Sequence, residues 1–283
     1  MALISEARAE FHAQLLSSVL SINEKGVPSN ADGSNRTSCA IAEGITRRIG
    51  EHTVAARLAG QSSGSKFESH CADFLKKTFL QLKHVRPGAW VVEKGDQRSK
   101  GIAQFDQYTH LSELEVLAKQ SSQLAAALGN DYLIHPDVLI YRLPEEDSFF
   151  NAQGDVVSDD VSTLSGLRKK NSEFPILHAS ISCKWTIRSD RAQNARSEGL
   201  NLVRNRKGRL PHVAVIMGEP LPSRIASIAL GTGDIDQVYH FALYELLETV
   251  KELGFGDAGD MLQTMVQGKR LRDITDLPID LVV

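Results

Sequence analysis

The chain has 283 residues, 42% of them hydrophobic and 24% charged, with a formal net charge of −3 at neutral pH. Its three cysteines, Cys39, Cys71 and Cys183, have no metal-ligand spacing and leave one thiol over, which argues for a reducing cytoplasm and against a disulfide framework. Glu6, Arg8 and Glu10 interrupt the N-terminus, and no apolar run is long enough for a signal peptide or a membrane span, so a soluble intracellular protein without membrane partners is expected.

The length can bury a large core, and with no internal repeat or low-complexity tract we read residues 1–283 as one domain. Residues 1–23 read as an amphipathic helix, with Phe11, Leu15, Leu16, Val19 and Leu20 at helical spacing. The Gly, Ser, Asn and Pro of residues 26–36 predict an exposed loop, in which a lone Asp32 is by default a turn former. Helical pieces are expected at 38–49 and 56–58. A stronger helical stripe follows in Phe67, Cys71, Phe74, Leu75, Phe79 and Leu82, where Glu68 in the first turn complements the helix dipole. Residues 86–93 predict a turn into a strand, and 111–128 a helix stopped by Gly129 and Asn130.

The run YLIHPDVLIY, residues 132–141, is short, apolar and bounded by turn signals, the pattern of a buried strand. Asp137 is its one acid. A carboxylate in such a place is unfavourable unless it is paired or holds a cation, so a metal ligand is favoured. Residues 144–171 turn acidic and weakly periodic, predicting a long excursion from the core with Phe149 and Phe150 exposed to another subunit.

Residues 176–184 alternate Leu177, Ala179, Ile181 and Cys183 with His178, Ser180, Ser182 and Lys184, which predicts a strand with Lys184 on its polar face. Ser189 suits an N-cap, and residues 190–207 predict a helix ended by Gly208 and Pro211. Arg188 and Arg191 flank Asp190. Arginine forks suit O6 and N7 of guanine and a carboxylate suits N4 of cytosine, so this triplet fits two adjacent G·C pairs, CC against GG, in a major groove. Glu198, seven residues after Arg191, falls on nearly the same helix face. From Lys184 to Arg209 eight basic residues stand against Asp190 and Glu198, the focused positive charge of a polyanion site. Arg204, Arg206, Lys207 and Arg209 are assigned to DNA phosphates.

Beyond this segment, residues 212–218 predict another buried strand, 225–230 a further one, and 238–253 an apolar helix. The fold class is therefore α/β, a mixed central sheet flanked by helices.

The segment SCKWTIRSDRAQNARSEGLNLVRNRKGRLPH, together with VPSNADGSN, Pro136-Asp137, PSRI, IALGTG, VYHFALYEL and DLPIDLVV, resembles the NgoMIV-type restriction endonucleases, a CCGG-cutting family of the PD-(D/E)XK nuclease superfamily. The resemblance implies the restriction-endonuclease-like fold and Mg²⁺-dependent cleavage of double-stranded DNA, with two ions per active site. It implies that Asp137, the Cys183 carbonyl and Glu198 hold metal, that Lys184 orients or deprotonates water, and that Glu68 is an accessory carboxylate. One departure from the superfamily pattern is Ser182, two before the lysine, where an acid is usual; in this family the following helix supplies it, and Glu198 fits that place.

For recognition the resemblance implies Arg188, Ser189, Asp190 and Arg191 on the inner pairs, Asp32 and Arg224 on the outer pair, and Gln61 in the minor groove. By base rate Arg224 would be an ordinary solvated arginine. The expected target is GCCGGC, cut after the first G to leave 5′-CCGG overhangs. A palindrome implies a two-fold dimer, and the family pattern adds a homotetramer built on about 144–171, where this chain resembles the family least, and a protecting DNA methyltransferase. Two other readings stand beside it: a structure-specific nuclease of the same core, which needs no base-reading triplet, and a DNA-binding module without catalysis, which needs no Asp137, Lys184 and Glu198 together.

Overall fold

The computed structural model describes residues 1–50, 60–96, 101–123, 126, 134–187, 189–231 and 233–283, with the main chain only at 60–62 and 189–192. Six strands form one sheet: β1 (Trp90–Lys94), β2 (Val138–Arg142), β3 (Ile176–Lys184), β4 (His212–Met217), β5 (Gln237–His240) and β6 (Leu271–Asp273). They lie in sequence order. β1, β2 and β3 are antiparallel neighbours, and β3 to β6 run parallel. The expected mixed sheet is present.

Helices among the described residues include α1 (Leu3–Ser18), α2 (Arg36–Ile49), α3 (Gly60–Thr78), α4 (His110–Gln120), α5 (Asp147–Phe150), α6 (Ser189–Asn205), α7 (Pro222–Ala229), α8 (Leu243–Glu252), α9 (Gly256–Gln267) and α10 (Leu277–Asp280). The predicted α3 stripe is the buried one: Phe67, Cys71, Phe74 and Leu75 lie against β1 to β3 and α1. On the other face α6 approaches β4 at Gly199, where a Cβ would meet the Asp234 carbonyl at 2.4 Å and a Val213 methyl at 3.3 Å. Among the described residues, no helix is long and apolar enough to cross a membrane.

Several expectations change. Residues 225–230 are not a strand: Pro222 occupies the start of α7, and Ile225, Ile228 and Ala229 at helical spacing are its buried face. Residues 238–240 are not the start of a helix but the buried strand β5, and the helix begins only at Leu243. Short apolar runs do not declare their period, and these two were resolved by their neighbours.

β3 has no solvated polar face, since helices cover the sheet on both sides. Ile140 pairs with Ala179 and Tyr141 with Leu177, so His178 is the extra residue of a β-bulge. It packs against Phe79 and Trp90 and bonds through Nε2 to the Leu281 carbonyl at 2.7 Å. The helix predicted at 56–58 and the stop at Gly129–Asn130 lie outside the described residues.

The 144–171 excursion is tethered. Arg168 is 1% exposed and donates to both carboxylate oxygens of Asp147, at 2.8 and 2.7 Å, and to the carbonyls of Ser158 and Val161. Leu164 and Val156 are left exposed beside Phe149, and Phe150 is half-buried.

Candidate active site and base-reading surface

β2 starts at Val138, so Asp137 stands just before the strand instead of inside an apolar run. Val138 pairs with Ile181, which sets Asp137 opposite Ser182 at the C-terminal end of β3. Gly95 secures this end. Its N–H donates to the Asp137 carbonyl at 2.9 Å, and a Cβ there would fall 1.8 Å from the Pro136 oxygen, so only glycine allows the approach.

One oxygen of Asp137, Oδ2, accepts from the Cys183 N–H at 2.7 Å and from Lys184 Nζ at 3.1 Å. The Ser182 hydroxyl lies 3.4 Å from both Asp137 Oδ2 and Glu198 Oε2. Glu198 thus reaches in from α6 to where the sequence pattern lacks an acid, with Ser182 between the two carboxylates. The structure brings Asp137, Lys184 and Glu198 together, and adds Ser182, which the sequence pattern marked only as a departure.

The electrostatics of this group are legible. Burial works against the Lys184 ammonium, but the carboxylates of Asp137 and Glu198 outweigh it and raise its pKa. Glu198 is also raised, first by burial and further by the charge of Asp137, with Lys184 and Ser182 opposing. Two carboxylates and one ammonium leave a formal charge of −1 in a largely buried place. No three His, Cys, Asp or Glu side chains among the described residues form a metal-holding group. The oxygen donors present are two carboxylates and the main chain at Cys183. That set suits a hard cation that completes its shell with water and phosphate.

Glu68 does not join the cluster. It lies on α3, and its Oε2 is 3.2 Å from Lys94 Nζ, which also bonds Ser65 Oγ and its carbonyl at 2.6 Å and Ser69 Oγ at 3.2 Å. Lys94 pairs with Val138, the residue after Asp137, so Glu68 is near that strand end with its charge already matched.

A second group gathers where β3 leads into α6. Trp185 is buried between Phe67 and Phe241, with ring centroids 5.1 and 5.4 Å away, and its indole N–H donates to Ser29 Oγ at 3.2 Å. Asn30 Nδ2 donates to the Gly218 carbonyl at 2.8 Å. The 26–36 loop is therefore not fully exposed, because these contacts seat its middle in the core while Asp32 remains nearer the surface.

Asp32 pairs with Arg224 of α7, the two residues expected at one base pair. The Ser34 hydroxyl and N–H, and then Arg224, bring the Asp32 carboxyl down to about 2. Arg224 also lies 3.4 Å from the Ile187 carbonyl, immediately before Arg188. Ser189, Asp190 and Arg191 form the first turn of α6. Their side chains, those of Gln61, and Arg188 lie outside the described residues. Arg204 is in the last turn of α6, and Arg206, Lys207 and Arg209 follow it. The Lys207 N–H bonds the carbonyl of Gln107, whose amide reaches Leu177 at the start of β3. The basic turn is thus at the opposite end of β3 from Lys184.

A family model described as NgoMIV restriction enzyme matches residues 11–283. The type II restriction enzyme NgoMIV of Neisseria gonorrhoeae is 53% identical over 283 residues, spanning 99% of each chain. A crystal structure of the type IIF restriction endonuclease Bse634I with cognate DNA covers 87% of this chain and 91% of that one, at 14% identity and a TM-score of 0.36. With the family model spanning nearly the whole chain and the curated relative more than half identical, the chain belongs to the NgoMIV family of type II restriction enzymes, which are site-specific deoxyribonucleases.

Proposed function

We propose that this chain is a Mg²⁺-dependent endonuclease that hydrolyses double-stranded DNA at GCCGGC after the first G, leaving 5′-CCGG overhangs. The observation that carries the reading is the convergence of Asp137, Lys184 and Glu198 around Ser182. Two carboxylates outnumber one ammonium there, and a divalent cation would offset both the excess charge and the burial that raises the Glu198 pKa.

Asp137 and the Cys183 carbonyl would hold the ion, with Glu198 binding it directly or through water, and Glu68, paired with Lys94, would act only on water beyond that shell. When bound, the metal supplies Lewis-acid stabilisation of the phosphate and makes water a better nucleophile. Lys184, kept as an ammonium by its carboxylate neighbours, donates to the attacking water and to the developing charge on phosphate. In-line attack leaves a 5′ phosphate and a 3′ hydroxyl.

Arg188, Ser189, Asp190 and Arg191 read the inner CCGG in the major groove, with Asp32 and Arg224 on the outer pair and Gln61 in the minor groove. Residues 1–283 act as one catalytic domain in the cytoplasm, as a homodimer on the palindrome and a homotetramer through the excursion, where exposed Phe149 and Leu164 favour self-association. A methyltransferase of the same specificity protects the host DNA.

Incubating the pure protein with plasmid DNA and Mg²⁺ and sequencing the ends tests this. Ends at G/CCGGC are expected. Ends at unrelated sequences refute the target, and intact plasmid refutes the activity.

A further inference from the structure

Glu219 lies between β4 and α7, and its side chain has no accessible surface. Such a carboxylate persists only if its charge and lone pairs are met. Both oxygens are engaged: Oε2 accepts the Ile187 N–H at 2.8 Å and Oε1 the Leu221 N–H at 3.2 Å. Arg224 Nη1 is 3.9 Å from Oε2.

These partners belong to the two elements that bear base readers. Ile187 immediately precedes Arg188. Leu221 immediately precedes α7, whose third residue is Arg224. Arg224 closes the figure by lying 3.4 Å from the Ile187 carbonyl and pairing with Asp32. One buried carboxylate therefore ties the lead-in to α6 to the start of α7 and places its charge beside the guanidinium that leans on both.

We propose that Glu219 is a positioning residue for base recognition: it fixes the Arg224 guanidinium so that Arg224, with Asp32, reads the outer base pair. The proposal rests on the reading of Asp32 and Arg224 as outer-pair contacts. In the free protein the guanidinium lies between two carboxylates. When Asp32 turns to a base, its hold on Arg224 weakens, and Glu219, shut away from water, is the countercharge that stays. A partner fixed before DNA arrives spares the complex the ordering of a long side chain.

The test uses duplexes with a CCGG core and each of the four outer pairs. Binding is measured with Ca²⁺ in place of Mg²⁺, and single-turnover cleavage with Mg²⁺. Glu219→Gln, of the same size without the charge, is expected to lower outer-pair discrimination by about tenfold, the scale of one bidentate base contact. Discrimination is read as the ratio between cognate and other duplexes within each variant, so a change in cleavage rate common to all four does not enter it. Arg224→Ala should lower discrimination at least as much, and Glu219→Gln should add nothing on that background.

Undiminished discrimination in Glu219→Gln, a uniform loss on all four duplexes, or additive losses in the double variant would overturn the proposal while leaving Arg224 as a reader. If Arg224→Ala itself keeps full discrimination, the outer-pair reading falls and this inference with it. Should Glu219→Gln not fold, Asp32→Asn decides: the Arg224 Nη1–H NMR signal stays protected from exchange if Glu219 holds the guanidinium, and its loss refutes that.

Discussion

Replacing Asp137 with Ala should separate cutting from binding, and in opposite directions. Asp137 and Glu198 against Lys184 leave a formal −1 where the proposed function puts the scissile phosphate, with Lys184 Nζ 3.1 Å from Asp137 Oδ2. A phosphate about 5 Å from one carboxylate is repelled by roughly 3 kcal/mol at an effective dielectric of about 20. Solvent and salt reduce this by about half, to about 1.5 kcal/mol, or roughly tenfold in affinity. Without divalent ions, Asp137→Ala should therefore bind a GCCGGC duplex about tenfold more tightly than the unchanged protein, and the gain should shrink as salt rises. With Mg²⁺, loss of the carboxylate proposed to hold the ion should remove several kcal/mol of transition-state stabilisation, so single-turnover cleavage should fall by about a thousandfold or more. Fluorescence anisotropy in EDTA and quenched-flow cleavage measure the two effects. Asp137→Asn, which keeps an acceptor for the Cys183 N–H, should behave like Ala if charge is the cause. Cleavage within about tenfold of the unchanged protein would refute the metal assignment, and equal loss of binding with and without divalent ions would refute the electrostatic account.

Gly95→Ala places a Cβ 1.8 Å from the Pro136 carbonyl oxygen, so the strand end carrying Asp137 must move. A loss of about 1–3 kcal/mol in stability and at least about tenfold in cleavage is expected from melting curves and single-turnover rates, and a stable, fully active variant would show that β1 does not set Asp137. Arg168→Ala removes the buried guanidinium that gathers Asp147, Ser158 and Val161. Loosening by about 2 kcal/mol should open the excursion to protease and convert a tetramer to dimers in light scattering, and a persistent tetramer would rule out this segment as its mediator. Burial lowers His178 to about 3 and His240 to about 4. The unfolded state then binds protons first, so stability is full above pH 6.5 and is lost as pH falls below it. For His178 this reaches about 3 kcal/mol at pH 4, and denaturant titration of His178→Gln should show a shallower acid loss.

The unit that runs from β3 into α6 was legible because it combines a clear alternation, a capping serine and dense charge, each a local signal. Asp137 was legible as an exception among apolar neighbours, although it precedes its strand. What escaped was decided by tertiary partners. The bulge at His178 depends on the β2 register, which no residue of β3 encodes alone. The GEPLP segment gives no hint that Glu219 is buried, since its partners are main-chain N–H groups of residues 187 and 221. Arg168 likewise reads as one cation in a charged excursion, yet its burial is fixed by carbonyls seven and ten residues away.

The distance between cutting and reading is itself built into the chain. Three residues separate Lys184 from Arg188, a span of at most about 14 Å of extended backbone, and two of them are immobilised. Trp185 is clamped between Phe67 and Phe241, and Ile187 is tied through its N–H to Glu219. The indole also bonds Ser29, three residues before Asp32, so the loop proposed to read the outer pair hangs from the same tryptophan. A hydrolytic group on a flexible arm could cleave at varying offsets from the bases it reads. Here the lysine at the strand end and the outer loop meet at one buried ring, and the lead-in to α6 is fixed two residues on, so on the proposed reading a phosphate at Lys184 and a base at α6 would be met together in one register only.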